Sequence, residues 1–457
     1  MSSFLFLRAA RPSRVRIQAL SLILLTLSVG AIFKGAAFWR EAYIASRFGV
    51  SADTDVYFGL QQIPMALVTF MLGAFGLAFT PAYSHARRTQ EGPFWIAGTL
   101  IFATVLGLAG SAATLAAEPF LLHCIHAQPS RTAHLALLLL SLSYAPILIT
   151  GLWVCISNSA GRTLLSLTVT GLPYLMMTIT LAVLCFWQTM LPLSLPASWL
   201  AGFSLTAIAS IYVLMRTEPF PIALSSLLIL FRLKSFRRFL GQLGSSLLEN
   251  TGFITNQLLM VFFFGLAGSG GISANNYAMR IGMLGYGILT MPLAQLAQSR
   301  LCTASSAHAR LQLFVRELAT MAVLVGAAAA TLFFFREDVA RLVYLRGRFS
   351  AAELQFVVSL LPAWLSYYVV LSLNAVMSRM LFARHEGMRY TRSMLCAYVG
   401  VNLLRMLTAS HSVPAFIIWS AVIGEGLALF WNLRLCLDRQ TEGSPAKLHL
   451  AATPVSA

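Results

Sequence analysis

Stretches of roughly twenty apolar residues follow one another twelve times along this chain, and no other feature limits its fold so severely. They lie near 17–39, 56–83, 93–116, 134–158, 163–187, 192–215, 241–266, 276–299, 313–335, 352–378, 393–409 and 414–436. About 20 residues of helix cross the hydrocarbon core of a bilayer, where each span must satisfy its own N–H and C=O groups. The chain of 457 residues is 58% hydrophobic and only 10% charged, against about 25% charged in ordinary soluble domains. A soluble enzyme, a disordered chain and a secreted disulfide scaffold are therefore excluded. The fold class is an all-α polytopic membrane protein with about 12 transmembrane helices.

The formal charge of +17 would suggest a nucleic-acid partner in a soluble protein. Here most basic residues fall in short links between apolar runs, where positive charge orients helices instead. Of the 32 Lys and Arg, three lie within spans (Lys34, Arg280, Arg405) and seven (Arg40, Arg47, Arg131, Arg336, Arg341, Arg346, Arg348) fall on one side. The other 22 fall on the opposite side. That excess places both termini in the cytoplasm. Arg336, Arg341, Arg346 and Arg348 break the rule together, in a link that reads as a functional surface feature rather than a miscounted span. Arg8, Arg11, Arg14 and Arg16 before the first span resemble a secretory signal, but further spans follow, so the first helix is read as retained.

The longest polar interruption, 216–240, mixes Pro219 and Pro221 with Arg232, Lys234, Arg237 and Arg238. Its composition suits an amphipathic linker on the cytoplasmic membrane surface. It separates six spans in 1–215 from six in 241–438, with a cytoplasmic tail at 439–457. Two facing bundles with a binding site near mid-membrane are a common plan for secondary transporters.

No metal or cofactor is expected. The six cysteines form no C-x-x-C pair, and His123-Cys124-Ile125-His126 has no further ligand types nearby. The run Gly265-Leu266-Ala267-Gly268-Ser269-Gly270-Gly271 lacks the Lys and Ser/Thr of a phosphate loop and reads as a flexible link.

A charge at the bilayer centre costs about 2.5–3.5 kcal/mol, so those retained face a cavity or a partner. Five stand within spans: Lys34, Glu249, Arg280, Arg405 and Glu425. Lys34 precedes Arg40 and Glu41 across Gly35, Ala36 and Ala37. Six helical residues place Arg40 about 120° round from Lys34, so the two flank one opening without sharing a face. Arg280 stands near the start of its expected span, where the helix dipole disfavours a cation. Either an anionic ligand or Glu249 then accounts for it. Arg405 and Glu425 are expected to pair between the last two spans, and Glu249 and Glu425 are also candidates for binding a coupling ion.

The first two spans carry a more specific pattern: Phe33-Lys34-Gly35-Ala36-Ala37-Phe38-Trp39-Arg40-Glu41-Ala42, Phe48-Gly49-Val50, Thr54-Asp55-Val56-Tyr57-Phe58, Ile63-Pro64 and Gly73-Ala74-Phe75-Gly76-Leu77-Ala78-Phe79-Thr80-Pro81. Tyr277-Ala278-Met279-Arg280, Gly347-Arg348-Phe349-Ser350 and Phe382-Ala383-Arg384 follow in order. This pattern resembles the MviN/MurJ family, lipid II flippases of the multidrug/oligosaccharidyl-lipid/polysaccharide exporter superfamily. The resemblance implies two six-helix lobes around a central cationic cavity that holds an undecaprenyl-pyrophosphate-linked glycan. By the same likeness Lys34 stands where the family has an arginine, while Arg40, Glu41, Asp55 and Arg280 match substrate-binding positions directly. A dianionic pyrophosphate in a low-dielectric cavity calls for such cations.

Three departures accompany the likeness. Val68-Thr69 replaces a family arginine pair, an acidic residue is missing beside Leu72-Gly73, and two further family spans have no counterpart after the twelfth. The resulting expectation is a monomeric inner-membrane flippase, not an enzyme, for lipid II. An exopolysaccharide repeat unit is the alternative cargo. A polyprenyl-sugar transferase is the rival from another class, and its acids would have to be Glu337 and Asp338.

Overall fold

The structure, a computed structural model, describes residues 14–438 except 88, 90, 161, 187–190, 219, 221–222, 291–292, 295–296, 298–299, 302–305, 385 and 409–412. The expected tail 439–457 lies outside the described residues. The elements are α1 (Arg14–Phe48), α2 (Ala52–Phe70), a π-helical turn (Met71–Phe75), α3 (Gly76–Arg87), α4 (Gly92–Ala116), α5 (Glu118–Cys124), α6 (Arg131–Leu142), α7 (Tyr144–Ser159), α8 (Thr163–Phe186) and α9 (Ser194–Thr217). Then come α10 (Ser225–Arg232), α11 (Lys234–Leu266), α12 (Gly271–Gly285), a second π-helical turn (Tyr286–Thr290), α13 (Ala307–Phe334), α14 (Arg336–Tyr344), α15 (Ala351–Ala383), α16 (Gly387–Thr408) and α17 (Pro414–Leu437). No strand occurs among the described residues.

Local chemistry marks several helix starts. Ser130 and Ser306 accept the N–H of Ala133 and Ala309, and Ser350 forms a reciprocal capping box with Glu353. Among the described residues, eight stretches are long and apolar enough to cross a membrane: Ala52–Gly73, Gly92–Ala116, Arg131–Ser159, Leu164–Phe186, Ser194–Thr217, Ala307–Phe334, Ala351–Ala383 and Pro414–Leu437. The other four expected spans fall on α1, α11, α12 with its π turn, and α16. Those helices carry Lys34, Glu249, Arg280 and Arg405.

The helices sort into two compact units. The first holds residues up to Glu41, Pro64–Glu118 and Ser130–Leu243, and the second Ala42–Ile63, Pro119–Pro129 and everything from Gly244 on. The first unit ends at Leu243 and takes in 216–240, whereas residues 42–63 and 119–129 group with the later half. Hydrogen bonds explain the first transfer: Arg348 N–H donates to Ser46 O at 2.9 Å and Val50 N–H to Glu353 Oε1 at 3.1 Å. The second follows from packing. Ile125 presses on Gly59 and His126 on Gly265, so His123–His126 is a packed corner.

An aromatic cluster of Phe75, Phe79, Tyr83, Trp95, Phe236 and Phe239 centres the first unit. The 216–240 stretch is not one surface helix. Leu233 is extended between α10 and α11, and Leu230 is buried against α4, where a β-carbon on Gly98 would stand 2.7 Å from it. Leu224, Leu228, Arg232, Lys234 and Arg237 remain exposed. The second unit is centred on Phe314, Met321, Val376, Met377, Met380 and Leu381.

The Arg-rich link is α14 and the turn after it. Val343 and Tyr344 are buried, Arg341 pairs with Glu337 at 2.9 Å, and Arg346 and Arg348 are exposed. Gly347 has φ of +63°, and a β-carbon there would collide with Ser46 O. Glycine is therefore required for this close approach.

Candidate functional site

In the first unit, α1 approaches α8 in the turns ahead of Arg40. Thr178 Oγ1 donates to Ala36 O at 3.2 Å, and a β-carbon on Gly171 would collide with the Phe33 ring. Arg40 and Glu41 are 2% and 3% exposed and form an ion pair. The Arg40 guanidinium also donates to Met177 Sδ at 2.8 Å and stands 5.8 Å from the centre of the Tyr174 ring. Adjacent opposite charges thus compensate one another inside the unit. The Lys34 side chain lies outside the described residues, although its backbone is helical.

In the second unit, Asp55 stands in the first turn of α2. Its carboxylate accepts the N–H groups of Gly270 and Ser273 and the Ser273 hydroxyl, the last two at 2.7 and 2.6 Å. These are the orphan donors at the start of α12, whose own cap residue Gly270 has φ of +89° and no side chain to offer. A carboxylate there also complements the helix dipole. Gly265–Gly271, read from the sequence as a flexible link, holds the end of α11 at Leu266 and the cap residue Gly270.

Arg280 is the tenth of the fifteen residues of α12. The helix begins at Gly271, earlier than the apolar run suggests, because Ser273-Ala274-Asn275-Asn276 is buried and helical. The argument from a helix start therefore fails for Arg280. Its helix is held at several points: Tyr277 Oη donates to Gly49 O at 3.1 Å, Tyr344 Oη to Tyr277 O at 3.0 Å, and Trp364 Nε1 to Asn275 Oδ1 at 3.1 Å. The Glu249 side chain lies outside the described residues, so its pairing with Arg280 is not described.

Arg405 and Glu425 do not meet, which corrects the expected pair. Arg405, 1% exposed, donates through Nε to Ser420 Oγ (2.8 Å) and Ile417 O (3.2 Å). Its Nη1 donates to Asn256 Oδ1 (2.8 Å) and Asn402 Oδ1 (3.0 Å), and Nη2 to Ile417 O (2.8 Å). Four neutral oxygens on α11, α16 and α17 thus solvate the guanidinium. Glu425, also 1% exposed, takes the Tyr398 hydroxyl at 2.9 Å and Asn374 Nδ2 at 2.7 Å. Neither has an ion-pair partner among the described residues. The pairing failed because neutral Asn, Ser and Tyr groups inside the spans satisfied each charge first. Sequence reading missed Asn256, Asn374, Tyr398 and Asn402, whose only signal was polarity inside apolar runs.

The structure thus brings together Arg40 with Glu41 in one unit and Asp55 with the helix of Arg280 in the other. The family model described as lipid II flippase MurJ matches residues 44–448. None of the curated protein sequences compared with the chain matches it. Among solved structures, lipid II flippase MurJ in an inward closed conformation superposes with a TM-score of 0.75 at 17% identity, covering 90% of this chain and 87% of that one. An inward-facing multidrug resistance MATE transporter of the MOP superfamily gives 0.74 at 14% identity, covering 90% and 98%. A MOP superfamily transporter from Pyrococcus furiosus gives 0.68 at 15% identity, covering 90% and 93%. At these identities the structural likeness speaks for the fold alone.

Proposed function

The chain belongs to the MurJ lipid II flippase family, and on that footing we propose that it moves lipid II, an undecaprenyl-pyrophosphate-linked glycan, across the bacterial inner membrane by alternating access. The family match over 44–448 carries this reading. The family and the neighbouring structures are flippases and transporters, and no covalent step on the substrate is invoked. In this proposal the protein is a monomer, and the basic links support twelve spans with both ends in the cytoplasm.

Lys34 on α1 and Arg280 on α12 supply the cations that meet the pyrophosphate. Arg40 and Glu41 hold α1 against α8, and Asp55 holds the start of α12. These three serve binding by fixing the helices that carry the cations.

A second cargo, an exopolysaccharide repeat unit on the same lipid, is favoured by Val68-Thr69 and Leu72-Gly73 standing where the family has charged residues. Proteoliposomes loaded with either lipid separate the readings. Lipid II becomes accessible on the far leaflet, and Arg280→Ala abolishes this while the protein stays in the membrane. Movement of the repeat-unit lipid alone would assign the second cargo, and movement of neither would overturn the flippase reading. Sugar transfer measured in the same vesicles tests the enzyme rival. Orientation is tested with Arg348→Cys, which reacts with an impermeant thiol reagent outside spheroplasts, whereas Arg237→Cys does not.

A further inference from the structure

Glu425 is a carboxylate with no basic partner among the described residues, on a helix apolar enough to cross a membrane. Its surroundings are neutral and asymmetric. Tyr398 Oη donates to Oε1, and Asn374 Nδ2 donates to Oε2 and, at 3.0 Å, to the Glu425 backbone O. Asn374 Oδ1 is turned away and accepts from Asn432 Nδ2 at 3.4 Å. One further group completes the cluster. Tyr367 on α15 is 1% exposed and its hydroxyl has no hydrogen-bond partner among the described residues, although it lies in the electrostatic field of both Glu425 and Arg405.

A buried phenol that makes no bond is costly, since such a group forfeits its bonds to water. It is explained if the cluster has a second state in which Tyr367 is used. The geometry points to Glu425 as a proton-binding site, which passes between a carboxylate held by Tyr398 and Asn374 and a neutral acid that donates its O–H to Tyr367 Oη. In the proton-binding step one proton from water adds to a carboxylate oxygen and nothing leaves. The surroundings select a proton over a metal ion. Hard cations take about six oxygens, whereas here both carboxylate oxygens already accept bonds and the Asn374 oxygen faces elsewhere. Tyr367 Oη is one idle acceptor, and one acceptor suits one proton.

The groups facing Glu425 from the elements packed on it are Tyr367 and Asn374 on α15, Tyr398 on α16 and Tyr286 in the π turn after α12, while the cations Arg405 and Arg379 act one group further out, on Tyr367 and Tyr286. That turn links the proton site to Arg280. Thr290 Oγ1 and Ser372 Oγ lie 2.7 Å apart, and the Tyr286 ring stands 5.5 Å from that of Tyr368, which is itself in the field of Arg280. Both contacts fasten the turn to α15, the helix whose Asn374 holds Glu425. π-helical turns inside α-helices are frequent at functional sites. Charge on Glu425 thereby biases the position of α12, and a proton becomes the coupling ion for the movement of the substrate.

This rests on the flippase reading for its meaning but is tested apart from it. Infrared difference spectra of the purified protein in lipid, taken without substrate across about pH 5 to 9, will show a carboxylic-acid C=O band that titrates. The band is lost in Glu425→Gln and moves to higher wavenumber in Tyr367→Phe, where the acid has lost its acceptor. It is unchanged when potassium replaces sodium. A titrating band that survives in Glu425→Gln, no band in wild type, or a band abolished by sodium would each overturn the proposal. In proteoliposomes an imposed pH gradient will accelerate lipid II movement in wild type and leave Glu425→Gln unaffected. If that variant does not reach the membrane, the Tyr367→Phe wavenumber shift decides alone. A titrating band in a protein that moves no lipid II would overturn the flippase reading and leave the proton site standing.

Discussion

Two buried sites, one in each unit, keep charge inside the protein by opposite means. In the first, Arg40 and Glu41 are neighbours and neutralise each other. In the second, Arg405 and Glu425 are dispersed among amide, hydroxyl and carbonyl groups without touching. A compensated pair is insensitive to its surroundings, because its net charge is zero. An isolated charge solvated by dipoles depends on every one of those dipoles and responds when one moves. The first arrangement suits a fixed strut and the second an element with two states.

Removing Arg405 tests this most severely. Arg405→Ala leaves four oxygens without their donor and a cavity among three helices, at a cost of about 3–5 kcal/mol, read as a lower unfolding temperature in detergent. Arg405→Lys restores little, because an ammonium cannot reproduce the planar fork. A mild loss would show that the neutral cage is incidental.

The next test is a pair of double-substitution cycles. Arg40→Met alone strands Glu41 and costs about 3 kcal/mol, and adding Glu41→Gln recovers most of it. Arg405→Met with Glu425→Gln couples far less, within about 1 kcal/mol of additivity, because the two share no hydrogen-bond partner and meet only through the field at Tyr367. Coupling of similar size in both cycles would erase the contrast between the units.

Asp55→Asn has a smaller effect, about 1–2 kcal/mol, since the amide keeps one acceptor but loses the charge that favours a helix start. Hydrogen exchange will report it as faster exchange of the Gly270 and Ser273 amides. Last, Arg341→Ala breaks a pair whose side chains are 58% and 49% exposed and shifts stability by less than about 0.5 kcal/mol. A larger shift would mean that α14 is held by charge rather than by Val343 and Tyr344.

Much was legible before any coordinates. Apolar runs marked the helices, because spanning length and hydropathy are properties of consecutive residues. The motif around Lys34, Arg40, Glu41 and Asp55 drew attention to the end of α1 and the start of α2. It did not reveal that Asp55 caps a helix more than two hundred residues away, or that residues 42–63 leave the unit of their sequence neighbours.

Arg405 and Glu425 show most clearly where reading from sequence stops. Opposite charges on successive spans suggest a pair, and each residue was singled out as a charge within a span. Which partner each takes was decided by Asn256, Asn374, Tyr398 and Ser420. Neutral polar residues of that kind are common and carry no spacing rule. Composition along one chain determines what must leave water and what lies across a membrane, since transfer free energies are summed residue by residue. Hydrogen bonds between helices depend on rotation and depth at the angstrom scale, and only the packed tertiary structure decides those.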